Sequence, residues 1–251
     1  MRIALALMLA LGWERQMFEA NRDLELGRYR EAERGFRRAL SEARRFGEED
    51  LRVAAALNNL ALACQHQGRL AEAEKHYRRS IAVWQADEGA LRPLTNLAAL
   101  YSRQRRFDEA SQLLQDVLAT ATGQVRLTAL NNLAVVQLET GRVMDARERL
   151  EEALKAWPED PTQARPLANL AVVYSRLRLH GDAGRLMARA VELAPPGQQL
   201  RAEILGLYAE VLRQAKRKAE AKAVEREARA LLANEPRYTV DITELAKQPL
   251  E

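Results

Sequence analysis

The stretch LNNLALACQHQGRLAEAEKHYRRSI, residues 57–81, decides the fold. Leu57, Leu60, Ala61 and Cys64 recur at intervals of three and four, the spacing of a single helix face. Gly68 follows, a residue free to take the left-handed backbone that ends a helix. Beyond it Ala73, Tyr77, Ser80, Ile81 and Trp84 share a second face. The spacing predicts two antiparallel helices joined by a tight turn. Ala61 and Ala73 are small enough to let their axes approach closely.

The same phrase returns along the chain as LTNLA (94–98), LNNLA (130–134) and LANLA (167–171). The closing alanines, Ala61, Ala98, Ala134 and Ala171, are 37, 36 and 37 residues apart. Twelve residues behind each runs a second series, Ala73, Ala110, Ala146 and Ala183, with the same spacings. Two positions that keep one period define a structural repeat. Ala20 with Ala32 and Ala209 with Ala221 extend the series, giving six units over residues 13–233. Gly27 and Gly141 punctuate other units as Gly68 does. Pro158 and Pro195 close second helices. The residues in excess of a minimal helix pair are expected in loops between units, such as Ala86–Leu91 and Thr122–Val125.

Small residues twelve apart, a glycine between them, an aromatic after it and a closing proline resemble the tetratricopeptide repeat. Gly27, Tyr29, Ala32, Phe36 and Ala39 carry that resemblance in the first unit, and Gly68, Ala73 and Tyr77 in the second. Residues 57–81 are closely similar to the kinesin-light-chain type of the repeat. The resemblance implies an all-α, right-handed solenoid of about six helix-turn-helix repeats whose first helices line a concave surface. Three units depart from the pattern. Arg105, Arg178 and Lys216 stand where the turn glycine is usual, and the last unit has Tyr208-Ala209 in place of Leu-Ala.

Composition bounds the function. Of 251 residues, 47% are hydrophobic and 29% charged, enough for a core and a solvated surface. Aromatics at 5% argue against a sandwich or barrel. The net charge of +4 is too small for a dedicated nucleic-acid binder. The basic stretch Arg213–Arg229 is interleaved with Glu220, Glu225 and Glu227 and reads as a polar terminal cap. No apolar run reaches the roughly 18 residues that span a bilayer. One cysteine, Cys64, excludes an internal disulfide, and with His66, His76 and His180 it leaves little for a metal centre. Cys64 and His66 point about 200° apart on a helix, which spoils a nucleophile–base pair. No phosphate loop or zinc motif appears. We expect no catalysis, cofactor or metal. Residues 1–12, MRIALALMLALG, have the layout of a very short export signal or of an apolar capping helix. The first implies an exported or periplasmic protein, the second a cytoplasmic one. Residues 234–251 lack the repeat and read as a tail.

Helical angles place the candidate binding residues. With each repeat's core alanine at zero, the residues two before, six before and five after it fall between about 120° and 160°, one narrow stripe. The stripe holds Ala55, Asn59 and His66 in the second unit and Arg92, Asn96 and Arg103 in the third. It continues as Thr128, Asn132 and Glu139, then Arg165, Asn169 and Arg176, and ends as Glu203, Leu207 and Gln214. Asn59, Asn96, Asn132 and Asn169 thus form a ladder, with four arginines beside it. Asparagine is a modest helix former, so four at one angle suggest a purpose. Its amide both donates and accepts, which suits the backbone of an extended peptide. Arg92, Arg103, Arg165 and Arg176 suit carboxylates, and Leu62, Val135 and Val172 form apolar walls. Related repeat proteins hold peptides on such a ladder. An asparagine here could equally bond the neighbouring repeat and fix its stacking, and both roles stand open. The expected function is a non-catalytic scaffold that takes a protein or peptide partner in its groove, with an acidic extended segment as the favoured ligand. The alternative is an assembly subunit that binds a folded partner, or a second copy of itself, through the convex face or the N-terminal segment.

Overall fold

The computed structural model describes residues 2–85, 87–195 and 199–233, with side chains from Gly12 onward. The tail expected at 234–251 lies outside the described residues. Twelve α-helices and no strands are found among them. They run as α1 (Arg2–Glu25), α2 (Tyr29–Ala43), α3 (Leu51–His66), α4 (Leu70–Trp84), α5 (Leu91–Arg103) and α6 (Phe107–Thr120). The second half comprises α7 (Gly123–Glu139), α8 (Val143–Ala156), α9 (Ala164–Arg176), α10 (His180–Leu193), α11 (Gln199–Gln214) and α12 (Lys218–Ala233). Residues 2–12 are the start of α1, which runs unbroken into the first repeat.

Two compact units divide the chain, residues 1–129 and 130–251. In the first, α1 packs on α2, α3 on α4 and α5 on α6, while α2 meets α3 and α4 meets α5 to join successive repeats. In the second, α9 packs on α10 and α11 on α12, with α8–α9 and α10–α11 as the joints. The alanine pairs that set the period are the packing points. All twelve, from Ala20 and Ala32 to Ala209 and Ala221, are at most 1% exposed. Gly35 shows how close the first pair runs, since a Cβ placed there would lie 2.6 Å from Ala20 Cβ. Larger side chains fill the spaces between these contacts. Phe36, Tyr77, Leu114, Leu150 and Met187 are fully buried, each worth roughly 1.5–3 kcal/mol of transfer free energy.

The six turns inside the repeats are built alike. Gly27, Gly68 and Gly141 adopt φ of 72°, 76° and 78°, and Arg105, Arg178 and Lys216 adopt 60°, 63° and 61°. The next residue's N–H reaches back five positions, as in Arg69 to Cys64 O (3.0 Å), Arg106 to Tyr101 O (2.9 Å) and Leu179 to Tyr174 O (2.9 Å). This satisfies helix-end carbonyls that otherwise lack partners. The three non-glycine residues therefore keep the glycine's conformation at a steric cost.

The linkers between repeats are less uniform. Asp50 caps α3 through Oδ1, which accepts from Arg52 N–H at 2.9 Å. Asp87 and Asp160 cap short 3₁₀ turns at Glu88–Ala90 and Pro161–Gln163. Trp84 covers the first of these, and a Cβ on Gly89 would lie 2.3 Å from its ring. Trp157 donates to Thr162 Oγ1 at 2.8 Å over the second. The loop expected at Thr122–Val125 is instead helical from Gly123. Arg126 Nη1 bonds Leu118 O (3.1 Å) and satisfies the end of α6, so that connection needs few residues.

Candidate functional site

Each asparagine of the predicted ladder lies half-buried on a first helix. Their amides are not aimed only outward. Asn96 Nδ2 donates to Asn58 Oδ1 (3.0 Å), Asn58 Nδ2 to Asn59 Oδ1 (2.9 Å), and Asn59 Nδ2 to Asn21 Oδ1 (2.9 Å). A relay of amides thus crosses three repeats in the first unit. The second unit repeats it: Asn169 Nδ2 donates to Asn131 Oδ1 (2.8 Å), and Asn131 Nδ2 to Asn132 Oδ1 (3.3 Å). Asn58 and Asn131 are 6% and 5% exposed and act as the buried links. The sequence reading missed them as polar partners, although the doubled Asn-Asn of LNNLA was the available signal.

The relay decides what each amide has left for a ligand. Asn59 and Asn132 each commit one lone pair of the oxygen internally. Asn96 and Asn169 commit one N–H each, and among the described residues their oxygens accept nothing. All four amides keep a donor and an acceptor, the combination a peptide backbone needs, and Asn96 and Asn169 keep both oxygen lone pairs.

The four arginines divide in the same way. Arg165 Nη2 pairs with Glu203 Oε2 in the next repeat at 2.6 Å, and Arg176 Nη1 bonds Leu138 O in the preceding one at 3.1 Å. Both fasten repeats together. Arg92 and Arg103 are exposed and have no hydrogen bond or ion pair among the described residues. They flank Asn96 on α5, four residues before it and seven after, on one face. Leu62, Val135 and Val172 are half-exposed beside the ladder. At the stripe's position on α1 stands Phe18, 70% exposed.

The second helices carry fasteners that the sequence reading did not anticipate. Tyr101 Oη donates to Glu74 Oε1 (3.0 Å) and accepts from Arg78 Nη2 (2.7 Å), with the Arg106 guanidinium 3.8 Å over its ring. In the second unit Tyr174 Oη donates to Glu151 Oε1 (2.8 Å), and Arg147 lies 5.7 Å over the ring. Units three and five share RPLxNLAxxYSR at residues 92–103 and 165–176, yet the charged pair beneath the tyrosine is reversed, Glu74/Arg78 against Arg147/Glu151. A hydroxyl that both donates and accepts tolerates the exchange.

An ionic cluster joins the first two repeats. Glu33 accepts from Arg69, from Gln67 Nε2 (2.9 Å) and from Arg37 Nε (3.0 Å). Burial raises the Glu33 carboxyl, but these bonds outweigh it and hold it at about 2. Arg37 and Arg69 also bond Glu72 at 2.9 and 2.8 Å. Cys64 is fully buried, as its helical face predicts, and burial pushes its thiol up to about 11. His66 stacks on Tyr29 at 4.6 Å between ring centres. Among the basic residues of 213–229, Arg213 pairs with Glu210 (2.7 Å) and Glu225, and Arg217 with Glu220 (2.5 Å).

Residues 23–86, 52–122 and 125–195 match the tetratricopeptide repeat profile. The chain belongs to the tetratricopeptide repeat family. Its solenoid is therefore a protein-interaction scaffold, a fold that is typically non-catalytic. No curated protein matches the sequence. Among solved structures, the Rap conjugation gene regulator of plasmid pLS20, in complex with the Phr peptide, is similar over 95% of this chain and 67% of its own, at 15% identity and a TM-score of 0.74. BtubC (BKLC) from P. vanneervenii matches 91% of this chain and 96% of its own, at 23% identity and a TM-score of 0.60. A putative kinesin light chain from Podosopora anserina covers 73% of this tetratricopeptide repeat chain and 96% of its own, at 23% identity and a TM-score of 0.52. At these identities the likeness concerns the fold. Among the described residues no helix is long and apolar enough to cross a membrane.

Proposed function

We propose that this protein holds an acidic, extended peptide segment against α3 and α5 of its first unit. The observation that carries the reading is the α5 stripe. Asn96 keeps a free acceptor and a spare donor, and it lies between two exposed arginines without carboxylate partners. An extended backbone crossing α5 pairs its N–H and C=O with the Asn96 amide. Its acidic side chains reach Arg92 on one side and Arg103 on the other, about 16 Å apart along the helix axis. The half-exposed Leu62 supplies an apolar wall. The peptide bound by the similarly folded Rap regulator supports a peptide as the ligand class.

Panning a display library of short peptides against the full chain tests this. Enriched peptides are expected to be rich in Asp and Glu and to weaken with added salt. Charge-assisted contacts are worth about 1.5–3 kcal/mol each. The double change Arg92→Glu with Arg103→Glu therefore lowers affinity by roughly 100-fold or more, while Lys222→Glu on α12 leaves it unchanged. Neutral or basic winners, or acidic winners that bind the double variant as tightly, overturn the reading.

A further inference from the structure

We infer that Cys64, Glu72 and His76 form a site for a zinc-like divalent ion within the second repeat. Cys64 lies in the last turn of α3, and Glu72 and His76 lie one turn apart on α4. One ligand atom of each lies within 4.8 Å of the other two. Zinc–ligand bonds are about 2.0–2.3 Å, so side-chain shifts of less than about 1 Å bring the three onto one ion. Thiolate, imidazole and carboxylate together favour zinc or cobalt over magnesium or calcium, which prefer oxygen alone. Three protein ligands leave a fourth position for water or a further ligand.

Two observations besides proximity point to an ion. The His76 Nε2 atom is buried and has no hydrogen bond, and the facing Glu72 Oε1 stands off at 3.6 Å. Buried nitrogens are rarely left unpartnered, because the desolvation is otherwise uncompensated. The Glu72 carboxylate, for its part, is held in place by Arg37 Nη2 on Oε1 and Arg69 Nη1 on Oε2. Each oxygen accepts one of these bonds and retains a lone pair. Such outer partners are what orient metal ligands in established sites. The charges are compatible. Glu33 and Glu72 balance Arg37 and Arg69, and a divalent ion with the Cys64 thiolate adds a single positive charge.

Arg69 Nη2 lies 3.4 Å from Cys64 Sγ, and it is the thiolate form of cysteine that ligates an ion. Binding therefore displaces the thiol proton to solvent. The test is a titration of the metal-stripped full chain with Co2+, followed by absorption. A thiolate-to-cobalt band that saturates at one ion per chain, and that Zn2+ displaces, is expected. Cys64→Ala abolishes the band. His76→Gln weakens binding by roughly 100-fold and Glu72→Gln by roughly 10-fold, while His180→Gln leaves it unchanged. Circular dichroism establishes that each variant is folded, and His76→Gln stands as the decisive variant if Cys64→Ala is not. Absence of a thiolate band at millimolar Co2+, or a midpoint unmoved by His76→Gln, overturns the inference.

Discussion

Truncating Asn169 to alanine tests whether the asparagine ladder holds the repeats together. Asn169 Nδ2 donates at 2.8 Å to Asn131 Oδ1, and Asn131 is 5% exposed. Removing the donor leaves a buried acceptor unpaired, which costs about 1–3 kcal/mol. Alanine returns up to about 0.7 kcal/mol in helix propensity. The net loss is about 0.3–2.3 kcal/mol, or roughly 1–9 °C in Tm for a chain of this size. Asn131→Ala removes both of that residue's bonds, including the 3.3 Å one to Asn132, but the groups it releases are half-buried and regain water. It too costs about 1–2 kcal/mol. The decisive quantity is the coupling. With Asn131 already gone, Asn169→Ala orphans nothing, so the double variant falls short of additivity by about 1 kcal/mol. Urea unfolding of the four proteins, followed by circular dichroism, measures the cycle. Additivity to within about 0.3–0.5 kcal/mol, or an Asn169→Ala protein as stable as the parent, would refute the reasoning and leave the amides free to serve ligands alone.

Lys216→Gly and Arg178→Gly are each expected to stabilise the fold by about 0.5–1 kcal/mol, because glycine removes left-handed strain but adds unfolded-state entropy; thermal unfolding that shows a lower Tm would count against this turn geometry. Gly35→Ala should cost about 1–3 kcal/mol, since its Cβ would meet Ala20 Cβ at 2.6 Å, and denaturant midpoints report it. Glu33 titrates at about 2 in the folded protein against an ordinary 4.5. The folded-state pKa is depressed, so its stabilisation is complete above pH 4.5 and is lost as pH falls towards 2. Arg69→Gln raises the Glu33 pKa and should flatten the acid limb of a stability–pH curve over that window; an unchanged limb would mean that Arg69 does not hold the carboxylate.

The sequence by itself determined everything that depends on near neighbours. Helix faces, the twelve-residue step between Ala61 and Ala73 and the period that carries it are local patterns of volume and polarity, and they survive intact in the structure. Arg105, Arg178 and Lys216 were placeable in turns for the same reason, because a helix end needs its left-handed residue whatever side chain it bears. Loop length was less legible. Thr122–Val125 carries loop-like Thr and Gly, yet the packing of α6 and the Arg126–Leu118 bond continue the helix from Gly123.

What the side chains bond to was decided by tertiary structure. The angle of Asn96 on its helix was readable, but its partner Asn58 lies 38 residues away, and only the stacking of α3 and α5 brings them within 3 Å. The same stacking separates four equivalent arginines into two that fasten repeats and two that face solvent, according to whether Glu203 and Leu138 O lie within reach. Cys64 was read against His66, its neighbour in sequence, which the helix turns away. Its spatial neighbour is His76, carried back to it by the turn at Gly68. Periodicity fixes the face on which a residue lies. The partner across that face is fixed by how two faces meet, and that is set by packing summed over the whole interface.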